Sequence, residues 1–155
     1  MSIDIGYTFI IHHWIYTFVK EYNSNFVKKD IDFKPVKKVH VIIAKKEGSW
    51  EVYLLNRSDD KLENVMITSK GYGETKTENQ QTSTLRHSIP YVDPNSYALI
   101  EPIDESVFHL NNEYWVSYFI NGHIYDKKYI FVPDSIVEEH LAFIEELQIH
   151  GILHD

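Results

Sequence analysis

Glu113-Tyr114-Trp115-Val116-Ser117-Tyr118-Phe119-Ile120-Asn121-Gly122-His123-Ile124-Tyr125 is the stretch that decides the fold. Tyr114, Val116 and Tyr118 alternate with Trp115, Ser117 and Phe119, a period of two that places the two sets on opposite faces of a strand. Asn121-Gly122 then separates this run from a second one, His123 to Val132. A two-residue type I′ turn needs positive φ at both central positions, and Asn-Gly supplies it at least strain. The segment therefore predicts an antiparallel hairpin.

The same period recurs upstream. Val39, Val41 and Ile43 alternate with Lys38, His40 and Ile42; Glu47-Gly48 turns the chain; Trp50, Val52 and Leu54 alternate with Glu51, Tyr53 and Leu55. Asn56 to Asp60 is a polar turn cluster. Strands are expected at Leu62–Ser69, Ser83–Ile89 and Tyr97–Ile103, with a loop over Lys70–Thr82 and a turn at Pro90–Asn95. Seven short strands without intervening helices predict a mainly β chain, an antiparallel β-sandwich. Downstream, Pro133 ends the last strand, and Asp134 or Ser135 can cap a helix with Glu138 at capping-box distance. Ile136, Val137, Leu141, Ile144 and Leu147 would form its apolar stripe and Gly151 its stop, so a C-terminal helix is expected.

Residues 1–37 form an apolar segment and linker ahead of the domain at 38–155. Tyr7, Ile11, Trp14, Ile15, Phe18 and Tyr22 share a helical face, yet Phe9, Ile10 and Tyr16 make the other side apolar too, and the β-branched and aromatic content keeps a strand open. Either form needs a partner surface. The run is interrupted by His12-His13, is short for a membrane span, and lacks the basic region and cleavage site of a secretory signal.

The 155 residues carry a net charge of -8 with histidine neutral, which repels phosphate backbones and argues against nucleic-acid binding. The imbalance is uneven: residues 1–38 hold six lysines against four acids, and the remainder holds 9 basic and 19 acidic groups. There is no cysteine, so disulfides, thiolate metal sites and cysteine nucleophiles are excluded, in keeping with a cytoplasmic protein.

The segment from Trp50 to Val132 resembles bacterial immunoglobulin-like and fibronectin-III-like accessory domains. The likeness rests on Val52-Tyr53-Leu54-Leu55-Asn56 followed by Leu62-Glu63-Asn64-Val65, on Ile89-Pro90 leading to Asp93-Pro94-Asn95-Ser96-Tyr97, and on the Tyr114–Val132 hairpin. Thr68-Ser69-Lys70-Gly71-Tyr72-Gly73-Glu74, Thr82-Ser83-Thr84-Leu85-Arg86-His87 and Leu110-Asn111-Asn112-Glu113 are similar to a group of short Bacteroidetes proteins, over roughly residues 38–153. Some of that group carry the label of a phenylalanyl-tRNA synthetase subunit. A class II synthetase core is much larger and holds ATP with motif arginines; the two arginines here, Arg57 and Arg86, sit in no such motif.

Chemistry-bearing patterns are sparse. Lys70-Gly71-Tyr72-Gly73 has a GxG pair but neither a third glycine nor a following amphipathic helix. Lys70, Tyr72, Arg86 and His87 form the candidate site, for a carboxylate or phosphate, because arginine binds such groups bidentately. His150 and His154 are four apart, but Gly151 interrupts them, so no metal site and no cofactor is expected. No nucleophile elbow is present. Asn56-Arg57-Ser58 matches a glycosylation sequon without a secretory signal. The expectation is a non-enzymatic protein-interaction or structural module that self-associates or binds a protein partner through residues 1–37, a homodimer among the forms this could take; the alternative is a small-molecule or anion-binding protein.

Overall fold

Asn121 and Gly122 take φ values of 49° and 75°, and Glu47 and Gly48 take 49° and 85°. Both pairs are the positive-φ turns that the sequence pattern requires. They close two hairpins in a computed structural model that describes residues 33–74 and 77–155. The first hairpin joins β1 (Val39–Lys46) to β2 (Ser49–Asn56); the second joins β7 (Asn111–Ile120) to β8 (His123–Phe131). Between them lie β3 (Leu62–Glu74), β4 (Asn79–Gln81), β5 (Leu85–Val92) and β6 (Ser96–Ile103), and after them β9 (Ala142–Ile144) and β10 (Ile149–His154). Pro35–Asp155 forms one compact unit. The question whether residues 7–22 are helix or strand falls outside the described residues.

Among the described residues the ten strands make two antiparallel sheets. One has the order β6-β2-β1-β10-β9; the other has the order β4-β3-β7-β8, with β5 also paired to β3. The strand periodicity dictates which side chains meet between them. Val39, Val41 and Ile43 from β1 and Trp50, Val52 and Leu54 from β2 pack on Val65, Ile67, Tyr114, Val116, Tyr118, Tyr129 and Phe131 from the opposing sheet. Full burial of each such aliphatic side chain stabilises by about 1.5–3 kcal/mol. The Tyr129 hydroxyl donates to Val39 O at 2.7 Å, tying β8 to β1 across the sandwich.

The face of the first sheet turned away from this core is also apolar. Ile42, Ala44, Tyr53, Leu55, Ile144 and Leu147 form a second buried cluster there. Tyr97 and Leu99 continue it onto β6, where they are exposed.

The expected C-terminal helix is not formed. Asp134 has φ 59°, and the Ser135 hydroxyl donates back to Val132 O at 2.7 Å instead of capping a helix. Glu138–His140 is a single 3-10 turn, and the chain then forms the β9–β10 hairpin. The apolar residues expected on one helical stripe serve two cores: Ile136 and Leu141 face the inter-sheet core, Ile144 and Leu147 the outer cluster. A helix presents one apolar face and could not reach both. Within β10, Ile152 packs inward while Ile149 and Leu153 pack outward, the alternation of a strand. The expected loop at Lys70–Thr82 is corrected too. Lys70 to Glu74 extends β3, pairing with β7 from Lys70↔Glu113 to Tyr72↔Asn111, and Asn79–Gln81 pairs back as β4.

Burial pushes the hydroxyls of Tyr114, Tyr118 and Tyr129 above the ordinary tyrosine range. An acid whose folded pKa is raised contributes stability that is complete below its unfolded pKa, near 10, and lost as pH rises beyond it. We therefore expect these three tyrosines to ionise only as the fold is lost. An alkaline titration should show tyrosinate absorbance from exposed tyrosines first, then a second rise coincident with loss of the β circular-dichroism signal. A single smooth titration around pH 10 with the fold intact would contradict this.

Candidate functional site

A β-bulge creates the polar centre of the domain. β2 and β6 pair as Tyr53↔Leu99 and then as Val52↔Glu101, so Ile100 is an extra residue on β6. Bulges re-aim the side chains that follow them. Here the shift puts Glu101 opposite the inward-facing Val52, and Ile100 and Glu101 are both buried.

Two strands of the other sheet supply the groups that hold Glu101. Ser69 lies on β3 two residues beyond inward-facing Ile67, and His87 on β5 pairs directly with Ile67. Ser69 Oγ donates to Glu101 Oε2 at 3.0 Å, and His87 Nε2 lies 2.6 Å from the same oxygen. Burial first, and then the Glu101 carboxylate to which its hydroxyl donates, pushes Tyr114 well above the usual range. Glu101 is 8% exposed, so its carboxyl group sits in a largely desolvated position and is held by these donors. A cleft of about 220 Å³ opens beside it; Leu85, Ile103 and Val107 give it apolar walls, and Thr82, Ser83 and Asn112 line it with polar atoms.

The four residues singled out in the sequence do not converge. His87 faces inward to Glu101. Arg86 pairs with Thr68, and Thr68, Lys70 and Tyr72 alternate outward, so these three candidates lie on the opposite face of the sheet. There the Lys70 ammonium is 3.7 Å from Glu113 Oε1 and 5.5 Å from the Tyr72 ring. Glu113 is buried. Burial and the Glu113 carboxylate raise the Tyr72 hydroxyl. The adjacent cross-strand row continues this outward face: Lys128 lies 4.7 Å over Trp115, whose Nε1 donates to Asp126 at 2.6 Å.

No protein-family model matches this chain, and no curated protein matches it.

The chemistry of the centre follows from its wiring. In acyl-transfer triads the serine donates to a histidine, which the acid orients through its other nitrogen. Here Ser69 and His87 both reach one oxygen of Glu101, so the carboxylate is the hub and the imidazole is not placed between acid and hydroxyl. Three elements from two sheets (β3, β5 and β6) are thereby fastened at one point. Among the described residues no group of three or more histidine, aspartate or glutamate side chains is arranged to hold a metal ion. His154 donates to Ile130 O at 3.0 Å, and His150 packs edge-on against Phe143 at 5.5 Å. His150 thus packs within the β9–β10 hairpin, and His154 ties β10 to β8. Ser69, Glu101 and Tyr114 escaped the sequence reading because the bulge at Ile100 has no local sequence signature.

Proposed function

We propose that this chain is a non-catalytic protein-interaction module built on an immunoglobulin- or fibronectin-III-like sandwich. The observation that carries the proposal is the Glu101 hub: at this centre the serine and histidine that could take part in nucleophilic chemistry, Ser69 and His87, both bind one carboxylate oxygen. The strand order supports the fold reading. β1, β2 and β6 share one sheet in the order β6-β2-β1, and β3, β7 and β8 share the other, with β4 and β5 beside β3. This is the Greek-key division between two sheets that such domains use, here extended past β1 by the β9–β10 hairpin. No helix among the described residues is long and apolar enough to cross a membrane.

Association is proposed to run through residues 1–37, on the strength of the two-sided apolar sequence from Tyr7 to Tyr22. Size-exclusion chromatography with light scattering on the full chain and on a chain starting at Lys37 tests this. Pro35–Asp155 is a compact unit, and the shorter chain gives up only Pro35 and Val36 of it, Val36 being partly buried at the edge of the core. The full chain is expected to be a dimer and the shorter one a monomer with the same β circular-dichroism spectrum. Two monomers of equal thermal stability would remove the assembly role.

A further inference from the structure

The cleft beside Glu101 has a chemistry that the assembly reading does not use. Glu101 is a pre-oriented carboxylate: Ser69 and His87 both reach Oε2 and Tyr114 is a third donor. A carboxylate offers about four acceptor sites, so one remains on a group that lines the cleft. Asp104 lines the same cleft. Its carboxyl is held below the usual range by the hydroxyl and backbone N–H of Ser106, so it stays ionised. Lys70 contributes to the lining, but its ammonium is directed to Glu113. Glu101 and Asp104 thus place two carboxylates along the cleft. Its size is below the roughly 300 Å³ at which drug-sized sites begin. Leu85, Ile103 and Val107 supply apolar contact for a short carbon chain.

We propose that this cleft binds a small primary amine, its ammonium on Glu101 and its alkyl part against Leu85 and Ile103. The site differs in place and in charge preference from an anion site on the outward face of Lys70 and Arg86.

Thermal-shift titrations of the full chain with butylamine, ethanolamine and putrescine, alongside glycerol and inorganic phosphate, test the proposal. A ligand that binds only the folded state raises the melting temperature in a concentration-dependent way. At least one amine should do so in the millimolar range, and glycerol and phosphate should not. Glu101→Gln keeps an acceptor for Ser69 but removes the charge, and should weaken amine binding by about tenfold or more. Leu85→Trp is a second variant, at a half-exposed wall position that leaves the buried hub untouched; it should fold normally and lose the shift. Lys128→Ala, on the outward face over Trp115 and away from the cleft lining, should retain it. No shift with any of the amines, an equal shift with glycerol or phosphate, or full binding by Leu85→Trp overturns the proposal.

Discussion

Asn56→Asp is expected to destabilise the domain by about 3–5 kcal/mol at neutral pH, the range for an uncompensated buried charge. Asn56 ends β2 with no exposed surface. Its Oδ1 accepts from Ser58 N at 3.0 Å and Ser58 Oγ at 2.6 Å. Its Nδ2 donates to Asp60 O at 2.8 Å and Asp93 O at 3.0 Å, with Val92 O at 3.4 Å. One amide thus organises the β2–β3 turn and the end of β5 together. An aspartate keeps the acceptor but points its second oxygen at three carbonyl oxygens. For a domain of this size the melting temperature should fall by roughly 10 °C or more. The pH dependence gives the cause away. A carboxyl in this setting has its folded pKa raised above the unfolded value near 4, so its stability is complete below that value and is lost as pH rises through the folded pKa. The deficit relative to wild type should therefore shrink near pH 4 and be full at pH 7. A pH-independent deficit would mean that lost hydrogen bonds, not charge, are responsible. The same burial explains why Asn56-Arg57-Ser58 is a sequon in spelling only: the nitrogen that would carry a glycan is already committed to backbone carbonyls.

Most of the architecture was legible because it rests on period-two patterning and on turn residues with one favoured conformation. The β1–β2 and β7–β8 hairpins follow from Glu47-Gly48 and Asn121-Gly122, whose positive φ is a local property. The C-terminal segment looks helical because Ile136, Val137, Leu141, Ile144 and Leu147 satisfy helical spacing, yet Ile136 and Leu141 pack on one surface and Ile144 and Leu147 on another. Only tertiary packing separates those cases. The strand signal is the alternation Ile149, Gly151, Leu153 against His150, Ile152, His154, and Gly151 masks it because a glycine after an apolar stripe looks like a helix stop. Lys70 to Glu74 looks like a loop in the sequence for a related reason: glycines such as Gly71 and Gly73 are usually breakers. Here Leu110 and Thr82 pack so closely over them that a Cβ on Gly71 would lie 3.0 Å from Thr82 Cγ2 and one on Gly73 would lie 3.2 Å from Leu110 Cδ2.

The polar centre was the least legible part. Regular alternation along Ser96–Ile103 would send Glu101 outward with Leu99. The extra residue at Ile100 reverses it, and only the pairing of β6 with β2 reveals that residue. His87 was noticed for its neighbour Arg86, yet adjacent residues on a strand face opposite ways. The real companions of His87 are Glu101, fourteen residues on, and Ser69, eighteen residues back. Such a constellation is set by strand register, which a composition or spacing rule does not see.

Gly151→Val should destabilise the domain by about 3 kcal/mol, the upper part of the range for forcing extra methyl groups into a packed site. Gly151 does not have positive φ, so the glycine is not there for backbone freedom. It is there for space. It pairs with Ala44 on one side and Ala142 on the other, three small residues in a row across β1, β10 and β9. A Cβ at this position would lie 2.7 Å from Ile42 Cγ2, 3.2 Å from Ala44 Cβ and 3.3 Å from Ile43 O. Ile42 has no exposed surface and belongs to the outer cluster with Leu55 and Leu147, so it cannot swing clear without disturbing them. The strand propensity gained by valine, at most about 1 kcal/mol, is too small to offset this. A double variant locates the strain. Ile42→Leu removes the β-branched methyl while nearly keeping the volume, so Gly151→Ala combined with Ile42→Leu should be more stable than the two single effects summed, by about 0.5 kcal/mol or more. If instead Gly151 were only a chain stop after a helix, alanine there would cost about 1 kcal/mol through backbone strain and would show no coupling to Ile42. Chemical denaturation of the four proteins in that cycle separates the two accounts, and strict additivity would refute the packing one.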